Sequence, residues 1–277
     1  MKLAVLADPH ANLIALQAVL TDLEAWKPDR VIVGGDLVNR GPRPAECLQR
    51  IQEKRQAEGW LVVRGNHEDY VIASSQPDSP RSGTRFEAHR PSFWTLQRIG
   101  GDVSQLVAMP FQLSLTDPAG GMIRVTHGSM LGIRDGIYPE TTDEELGEKV
   151  GIPPAVFIVG HTHRPLVRWL NGTLVVNVGS AGLPFDGDPR PAYARLNYQR
   201  GGWQAEIVRV EYDHQQAEND FYESSYLEEA GPLTELVLLE LRNAYSLLYG
   251  WAVQYQSQVE NGLITMRQSV DRFLSGL

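Results

Sequence analysis

The chain of 277 residues contains a single cysteine, Cys47. One cysteine excludes a disulfide within the chain and is typical of proteins in a reducing compartment, so the sequence predicts a cytoplasmic location. No run of about 18 uninterrupted apolar residues is present, which argues against a membrane-spanning helix. The N-terminal letters MKLAVLADPH carry one lysine and meet a charged residue too early for a signal peptide.

Positive charge is also scarce, with 25 lysine and arginine residues against 34 aspartate and glutamate residues and a net charge of −9. This balance argues against nucleic-acid binding by bulk electrostatics. It does not exclude an anionic substrate, because bound metal ions would reverse the local sign. Hydrophobic residues make up 42% of the chain, enough to bury a sizeable core in one large or two small domains.

Short apolar runs alternate with helical patterns in the first hundred residues. The runs KLAVLAD, RVIVGGD and GWLVVRGN predict buried strands. Asn12 is placed to cap a first helix, in which Leu13, Leu16, Leu20 and Leu23 recur at helical spacing. Strands that alternate with helices of this length predict βαβ units and a parallel sheet. Residues 75–91 are rich in proline, serine and arginine and predict a surface loop.

Hairpin patterns dominate after Pro110. FQLSLTD and MIRVTHG flank a Gly-Gly turn, and Asn171–Gly172 predicts a second hairpin with a type I′ turn. Thr142 and Glu145 form a capping box for a short helix, and AYARLNY and GWQAEIVRVEY continue as strands.

The pattern becomes helical and amphipathic from about residue 213. We therefore expect residues 1–212 to form one domain and residues 213–277 to form a helical extension packed on it. The apolar positions Leu236, Leu239, Leu247 and Leu248 predict the packed face. A lid over a functional site or a dimer contact is the alternative for this extension.

Polar residues follow the predicted strands at five places. They are Asp8 and His10 in DPH, Asp36 in GGD, Asn66 and His67 in GNHE, His127 in VTH, and His161 and His163 in GHTH. One such residue would usually be a helix cap or a turn residue. Because sites in open α/β sheets gather at the carboxyl ends of the strands, five clusters of this kind favour one shared site.

The types of these side chains indicate metal chemistry. Imidazole nitrogens with carboxylate and amide oxygens, without thiolate, suit Mn, Fe, Zn, Co or Ni. Seven candidate ligands are too many for one tetrahedral ion. They suit two ions about 3.5–4 Å apart that share a carboxylate and activate water for attack on phosphorus.

Five motifs, DPH, GGDLVNRG, GNHE, THG and GHTH, resemble in order and spacing the signature blocks of the calcineurin-like metallophosphoesterase family. The resemblance covers roughly residues 1–210. The segment NVGSAGLPFDGDPRPAYARL is further similar to the bacterial and archaeal phosphodiesterase branch. The resemblance implies an α/β fold in which two mixed β-sheets, flanked by helices, form an αββα sandwich. This expectation replaces a simple doubly wound parallel sheet.

The resemblance also implies a set of metal ligands. It assigns Asp8, His10 and His163 to the first ion. It assigns Asn66, His127 and His161 to the second ion, with Asp36 as the bridge. Mn is the favoured metal, and Fe, Zn, Ni and Co fit the same ligands.

Three further residues are expected to act on the substrate. The resemblance implies that His67 protonates the leaving-group oxygen or stabilises charge in the transition state. Arg40 offers a planar fork for phosphate oxygens, the alternative being a surface arginine in a turn. Asn39 stands where the protein serine/threonine phosphatase branch has an aspartate paired with the GNHE histidine. We therefore hypothesise that His67 is a weaker acid here, so that esters with good leaving groups suffer least.

Two residues keep open alternatives. Asn12 is a helix cap or a substrate contact, with the cap favoured. Arg164, directly after GHTH, contacts substrate or lies on the surface.

The sequence favours a metal-dependent phosphodiesterase for small or nucleotide-type phosphate esters. The enzymatic alternative is a phosphomonoesterase, including protein phosphatase or dinucleoside polyphosphate hydrolase activity. A non-catalytic binding scaffold on the same fold should lack some ligands or the active-site histidine, and this chain retains them. The native metal, the physiological substrate and the oligomeric state stay open at this stage.

Overall fold

Ten strands form two mixed sheets that face each other in the computed structural model, which describes all 277 residues. The strands are β1 (Lys2–Leu6), β2 (Arg30–Val33), β3 (Leu61–Val62), β4 (Gln112–Thr116), β5 (Met122–Thr126), β6 (Val156–Val159), β7 (Leu166–Leu170), β8 (Thr173–Asn177), β9 (Ala192–Gln199) and β10 (Gly202–Arg209). Helices cover the outer faces, which confirms the predicted αββα sandwich.

Twelve α-helical segments complete the fold. They are α1 (Leu13–Trp26), α2 (Pro44–Glu58), α3 (Asn66–Ser74), α4 (Thr84–Arg98), α5 (Ser104–Val107), α6 (Asp143–Val150), α7 (His214–Glu223), α8 (Tyr226–Glu229), α9 (Leu233–Asn243), α10 (Leu248–Trp251), α11 (Ser257–Glu260) and α12 (Met266–Ser275). A π-helical turn, Ala252–Gln256, joins α10 to α11. None of the helices combines the length and the apolar character needed to cross a membrane.

Both sheets combine parallel and antiparallel strand pairs. The first has the order β10-β9-β1-β2-β3, in which β1, β2 and β3 are parallel and β9 and β10 are antiparallel additions. The second has the order β4-β5-β6-β8-β7, in which β5, β6 and β8 are parallel. The βαβ prediction is therefore correct for the first three strands, while the complete sheets are mixed.

Strand β1 shows how side-chain alternation builds the layers. Leu3 and Val5 point between the sheets, where they pack in one buried cluster with Ile158 of the opposite sheet. Ala4 and Leu6 belong to a second buried cluster on the outer face, which includes residues of α1 and α2. Both faces of β1 are covered, so its sequence is apolar from Leu3 to Leu6 rather than alternating.

The local signals for caps and turns are confirmed. The Asn12 side chain accepts a hydrogen bond from the Ala15 amide at 3.1 Å and caps α1. Thr142 and Glu145 form the predicted capping box of α6. Asn171 and Gly172 both have positive φ, 46° and 87°, as a type I′ turn requires.

The prediction of a surface loop over residues 75–91 is wrong for its second half. Helix α4 begins at Thr84 and continues through Pro91. Tertiary contacts stabilise this early start, because the Thr84 hydroxyl donates to the Glu260 carbonyl and the Arg90 guanidinium donates to the Glu229 carbonyl. The partners lie about 140 to 175 residues further along the chain, so no local pattern could reveal them.

The helices after residue 213 lie against the sandwich. One buried cluster joins Trp94 of α4 and Leu183 to Phe221, Val237 and Leu241 of the C-terminal helices. Leu236 is fully buried within a second cluster of the same helices. The division of the chain into two domains at residue 212 stays a prediction.

Candidate metal centre

The polar residues at the strand ends converge where the two sheets meet. Asp8 and His10 follow β1 and Asp36 follows β2 of the first sheet, while His127 follows β5 of the second. His161 and His163 follow β6, and Asn66 and His67 open α3. The structure brings all seven predicted ligands into one buried group, in which only His161 is partly exposed.

The first set of ligands comprises Asp8, His10 and His163. The His10 and His163 Nε2 atoms lie 3.1 Å apart. The Asp8 Oδ1 atom lies 3.3 Å from His163 Nε2 and 3.7 Å from His10 Nε2. Two ligand atoms that each sit about 2.1 Å from one ion at roughly 90–110° are about 3.0–3.4 Å apart. The two separations from His163 Nε2 lie in this range, and that between Asp8 Oδ1 and His10 Nε2 is slightly longer.

Asp36 lies between this set and the second one. Its Oδ2 atom is 3.6 Å from His10 Nε2 and 3.2 Å from His127 Nε2. Its Oδ1 atom accepts a hydrogen bond from the His67 amide at 2.8 Å, which holds the carboxylate in place. On the far side, His127 Nε2 is 3.1 Å from Asn66 Oδ1, and the His127 and His161 ring centroids are 5.1 Å apart. The position of Asp36 Oδ2 is the one that a bridging ligand needs.

An orphaned carboxylate oxygen tests whether metal ions fit these residues. Asp8 Oδ1 is buried and has no hydrogen-bond partner, whereas Asp8 Oδ2 accepts from the His161 amide at 3.0 Å. A buried carboxylate oxygen without a partner is costly, and a cation between it and the surrounding imidazoles would satisfy it. The residues therefore fit borderline divalent ions with nitrogen and oxygen ligands.

Backbone carbonyls orient three of the imidazole rings. His127 Nδ1 donates to the Gly34 carbonyl at 2.8 Å, and His163 Nδ1 donates to the Leu183 carbonyl at 2.5 Å. His161 uses its other nitrogen, Nε2, to donate to the Arg134 carbonyl at 3.0 Å. Each bond fixes the tautomer and leaves the opposite nitrogen as a ligand.

The ligands also carry unusual backbone geometry. Positive φ values between 47° and 68° occur at Asp8, His10, Asp36, His161 and His163. Non-glycine residues rarely adopt this region, and such strain persists where surrounding structure enforces it. Five of the seven predicted ligands therefore lie in a backbone region that non-glycine residues rarely adopt.

Charge is distributed unevenly within the group. Burial opposes protonation of His127, but the Asp36 and Asp8 carboxylates outweigh it and raise its pKa to about 10. Burial lowers the pKa of His161 to about 4, and burial also holds the pKa of His10 well below its usual value. His10 and His161 are therefore neutral and ready to bind a cation, whereas at His127 a cation would replace a proton.

His67 lies beside the predicted ligands, and one of its ring nitrogens is within 4.8 Å of ligand atoms of His10 and Asp36. Its ring packs edge-on against His10, with the ring centroids 4.8 Å apart. The Asn39 amide lies 3.0 Å from His67 Nδ1 and donates a second hydrogen bond to the Ser92 hydroxyl at 2.9 Å. Burial holds the pKa of His67 well below its usual value, with the Arg40 charge as a lesser contribution in the same direction. Nδ1 accepts from Asn39, so Nε2 carries the proton of the neutral ring.

Arg40 is held by contacts that the sequence did not predict. Its Nη1 lies 3.4 Å from the Oε2 atom of Glu240, a fully buried residue of α9. Its guanidinium also lies over the ring of Phe185 at 5.9 Å, and Phe185 stacks on His163 with the centroids 4.3 Å apart. Arg40 is therefore one aromatic ring away from the first set of ligands.

Glu68, the last residue of GNHE, had no predicted role, and the structure shows it to be a positioning residue. Its Oε2 atom accepts from the Asp36 and Gly65 amides, each at 2.8 Å, and its Oε1 atom accepts from the Leu37 amide at 2.7 Å. Burial and the Asp36 charge raise the pKa of Glu68 to about 7, against these hydrogen bonds. The carboxylate joins the start of α3 to the loop that carries Asp36.

Asn177 and Ser180, in the segment NVGS after β8, were also given no role. The Asn177 amide donates to the Gly160 carbonyl at 3.0 Å and to the Thr162 hydroxyl at 2.8 Å, both within the GHTH loop. The Ser180 hydroxyl donates to the Asp8 carbonyl at 2.7 Å. The signal in the sequence for these two contacts was the position of Asn177 and Ser180, which are polar residues directly after a buried strand.

Contacts at the rim of the site distinguish between the two alternatives given for Arg164. Arg164 pairs with Glu140 at the surface, which favours its surface role. Arg134 is exposed and lies over the ring of Tyr70 at 4.7 Å, and Tyr70 in turn packs edge-on against His67. No pattern around Arg134 predicted its position near the site, because that position depends on how its loop folds over α3. Asn12 acts as a cap and also donates to the Gly182 carbonyl at 2.8 Å.

Comparison with known proteins agrees with this geometry. A family model for the calcineurin-like phosphoesterase superfamily domain matches residues 1–201. An uncharacterized protein of Methanocaldococcus jannaschii is 27% identical over 235 residues, or 78% of this chain and 89% of that protein. The crystal structure of a metallophosphoesterase from Sphaerobacter thermophilus is 26% identical, with a TM-score of 0.70 over 88% of this chain and 99% of that one. A hypothetical protein from Pyrococcus horikoshii shares the fold, at 21% identity and a TM-score of 0.74 over 88% and 98% of the two chains.

Proposed function

The chain belongs to the calcineurin-like phosphoesterase superfamily, and from this premise we propose that it is a dinuclear metal-dependent phosphodiesterase for small or nucleotide-type substrates. The supporting observation is the convergence of buried imidazoles and carboxylates from both sheets around Asp8 Oδ1 and Asp36 Oδ2. No other cluster of three or more potential metal ligands occurs in the structure.

The proposal assigns the ligands as follows. Asp8, His10 and His163 would hold one ion. Asn66, His127 and His161 would hold the other, with Asp36 shared between them. When bound, two such ions supply water of lowered pKa and positive charge for the phosphate oxygens. Mn is the ion we favour for this nitrogen and oxygen set.

His67 is the proposed group at the leaving-group oxygen, where the neutral ring stabilises developing charge by donating a hydrogen bond from Nε2 and where only the imidazolium form transfers a proton. Asn39 occupies its Nδ1, so the proton on Nε2 is the one left for a substrate. Asn39 is neutral, and an uncharged partner does not favour the imidazolium form. A weaker acid of this kind suits esters whose leaving group needs little protonation. Arg40 is the proposed contact for a phosphate oxygen.

The first experiment compares two chromogenic substrates. The protein is stripped of metal with a chelator, reloaded with Mn, and assayed on bis(p-nitrophenyl) phosphate and p-nitrophenyl phosphate. We expect no turnover without metal, recovery with Mn, and faster cleavage of the diester. Faster cleavage of the monoester would instead support a phosphomonoesterase. A protein that binds metal and cleaves neither ester would be a binding scaffold, and the proposal would be wrong.

The second experiment tests the role of His67. The His67→Ala variant should lose about 10²- to 10⁴-fold in turnover, the usual contribution of general acid catalysis, while its metal content stays unchanged. His89→Ala is the matched control, because His89 is exposed on α4 and takes no part in the ligand clusters. Loss of metal from the His67 variant would show that this residue is a ligand and not a proton donor.

A further inference from the structure

A buried carboxylate from the C-terminal helices reaches the edge of the proposed site. Glu240 lies on α9, outside the residues matched by the family model, and its side chain is 0% exposed. Its Oε1 atom accepts from the Leu247 and Leu248 amides at 2.7 and 2.9 Å. Its Oε2 atom lies 3.4 Å from Arg40 Nη1, and Arg40 is its only charged partner. The turn after α9 therefore holds this carboxylate against the guanidinium.

The backbone conformation and the side-chain exposure of Arg40 are restricted as well. It has a φ of 61°, its side chain is 20% exposed, and its buried Nε atom has no hydrogen-bond partner. The neighbouring Arg43 is bound in the same manner, with Nη2 2.7 Å from Asp220 of α7. Two acidic residues of the C-terminal helices thus hold the loop that follows Asp36.

The pairing has a consequence for substrate charge. A buried Glu240 carboxylate offsets the charge of Arg40, so an approaching phosphate meets less positive charge than an unpaired arginine would present. A phosphomonoester has a second pKa of about 6 and is mostly a dianion near neutral pH, whereas a phosphodiester is a monoanion. The dianion loses more attraction from this offset, because the interaction energy scales with the substrate charge.

We propose that Glu240 is a specificity-determining residue, which acts through Arg40 to make the site favour monoanionic phosphodiesters over dianionic phosphomonoesters. This inference rests on the proposed phosphoesterase function and gives the C-terminal helices a part in it. Glu240 itself is a positioning residue that does not contact substrate.

The test is the Glu240→Gln variant, assayed with Mn on bis(p-nitrophenyl) phosphate and p-nitrophenyl phosphate. Glutamine keeps an oxygen for the Leu247 and Leu248 amides and removes the charge. We expect kcat/KM for the monoester to rise about fivefold relative to the diester, as one unit charge acting over several ångströms in a partly hydrated site implies. Glu235→Gln on the same helix is the matched control, because Glu235 pairs with Arg267 at the surface. Its substrate ratio should equal that of the wild type.

Each alternative outcome has a defined meaning. A ratio that changes less than about twofold, or equal losses on both substrates, would overturn the inference, because a merely structural role predicts no change in selectivity. If Glu240→Gln does not fold, Arg40→Gln replaces it, and the monoester should then lose more activity than the diester. Equal losses in that variant would also overturn the inference. A metal-loaded wild type that cleaves neither ester would refute the proposed function together with it.

Discussion

Replacement of Asn177 by alanine should loosen the GHTH loop. Asn177 is fully buried at the end of β8, and the two hydrogens of its Nδ2 are shared among the Gly160 carbonyl, the Thr162 hydroxyl and the Ile137 carbonyl at 2.8–3.0 Å. Its Oδ1 accepts from the Gly179 amide at 3.0 Å. At about 1 kcal/mol for each of about three bonds, two donated and one accepted, we expect a loss of about 3 kcal/mol in the free energy of unfolding.

The loss should be measurable as a lower Tm and as a weaker affinity for metal. For a chain of this size, about 3 kcal/mol corresponds to a fall of roughly 5 °C in Tm, readable by calorimetry on the metal-free protein. His161 and His163 depend on this loop, so the affinity for Mn should also fall about 10- to 100-fold, as measured by isothermal titration.

Asn197→Ala provides the control for this prediction. Asn197 lies in β9, is half-buried and makes no side-chain hydrogen bond, so its replacement should change Tm by no more than about 2 °C. The reasoning would be refuted if the Asn177 variant behaved like this control. A destabilised Asn177 variant with unchanged metal affinity would show that the amide supports the core but does not position the ligands.

Three further predictions concern other parts of the chain. A Cβ on Gly182 would stand 1.9 Å from the Pro9 carbonyl oxygen, so Gly182→Ala should destabilise the protein by about 3 kcal/mol or more in denaturant titration. Gly147→Ala in α6 meets no atom within 4 Å and should stabilise it by about 0.5–1 kcal/mol. Asn39→Asp should raise turnover of phenyl relative to p-nitrophenyl esters by about three- to tenfold, and an unchanged ratio would contradict the pairing with His67. Cys47 is buried and burial raises its thiol pKa, so iodoacetamide at about pH 8 should label it only after unfolding, and rapid labelling of the native protein would contradict this placement.

The mixed topology accounts for a site built from two sheets. The parallel strands of each sheet deliver their carboxyl ends to the same side, and antiparallel strands flank them on one side of the first sheet and on both sides of the second. Ligands from β1 and β2 therefore face ligands from β5 and β6. A single parallel sheet would place the same residues along one row, without the enclosure that buries Asp8 and His127.

Much of this arrangement can be predicted from the sequence because it depends on local patterns. Apolar runs that end in DPH, GGD, GNHE, THG and GHTH mark both the strands and the residues at their ends. The Asn12 cap, the Thr142 capping box and the Asn171–Gly172 turn need only a few neighbouring residues, and all three are confirmed.

The long-range contacts that support the site could not be predicted from such local patterns. The composition of residues 75–91 predicted a surface loop, yet contacts with the C-terminal helices allow α4 to begin at Thr84. The pairing of Arg40 with Glu240 joins residues 200 positions apart, so neither residue carries a local mark of it. The sequence by itself determined most strands, the caps and the polar residues at the strand ends that could hold metal, since these follow from short-range periodicity and side-chain chemistry. Only the tertiary structure decided which distant carboxylates, amides and helices surround those ligands, because burial and charge pairing depend on contacts between segments that the chain order keeps far apart.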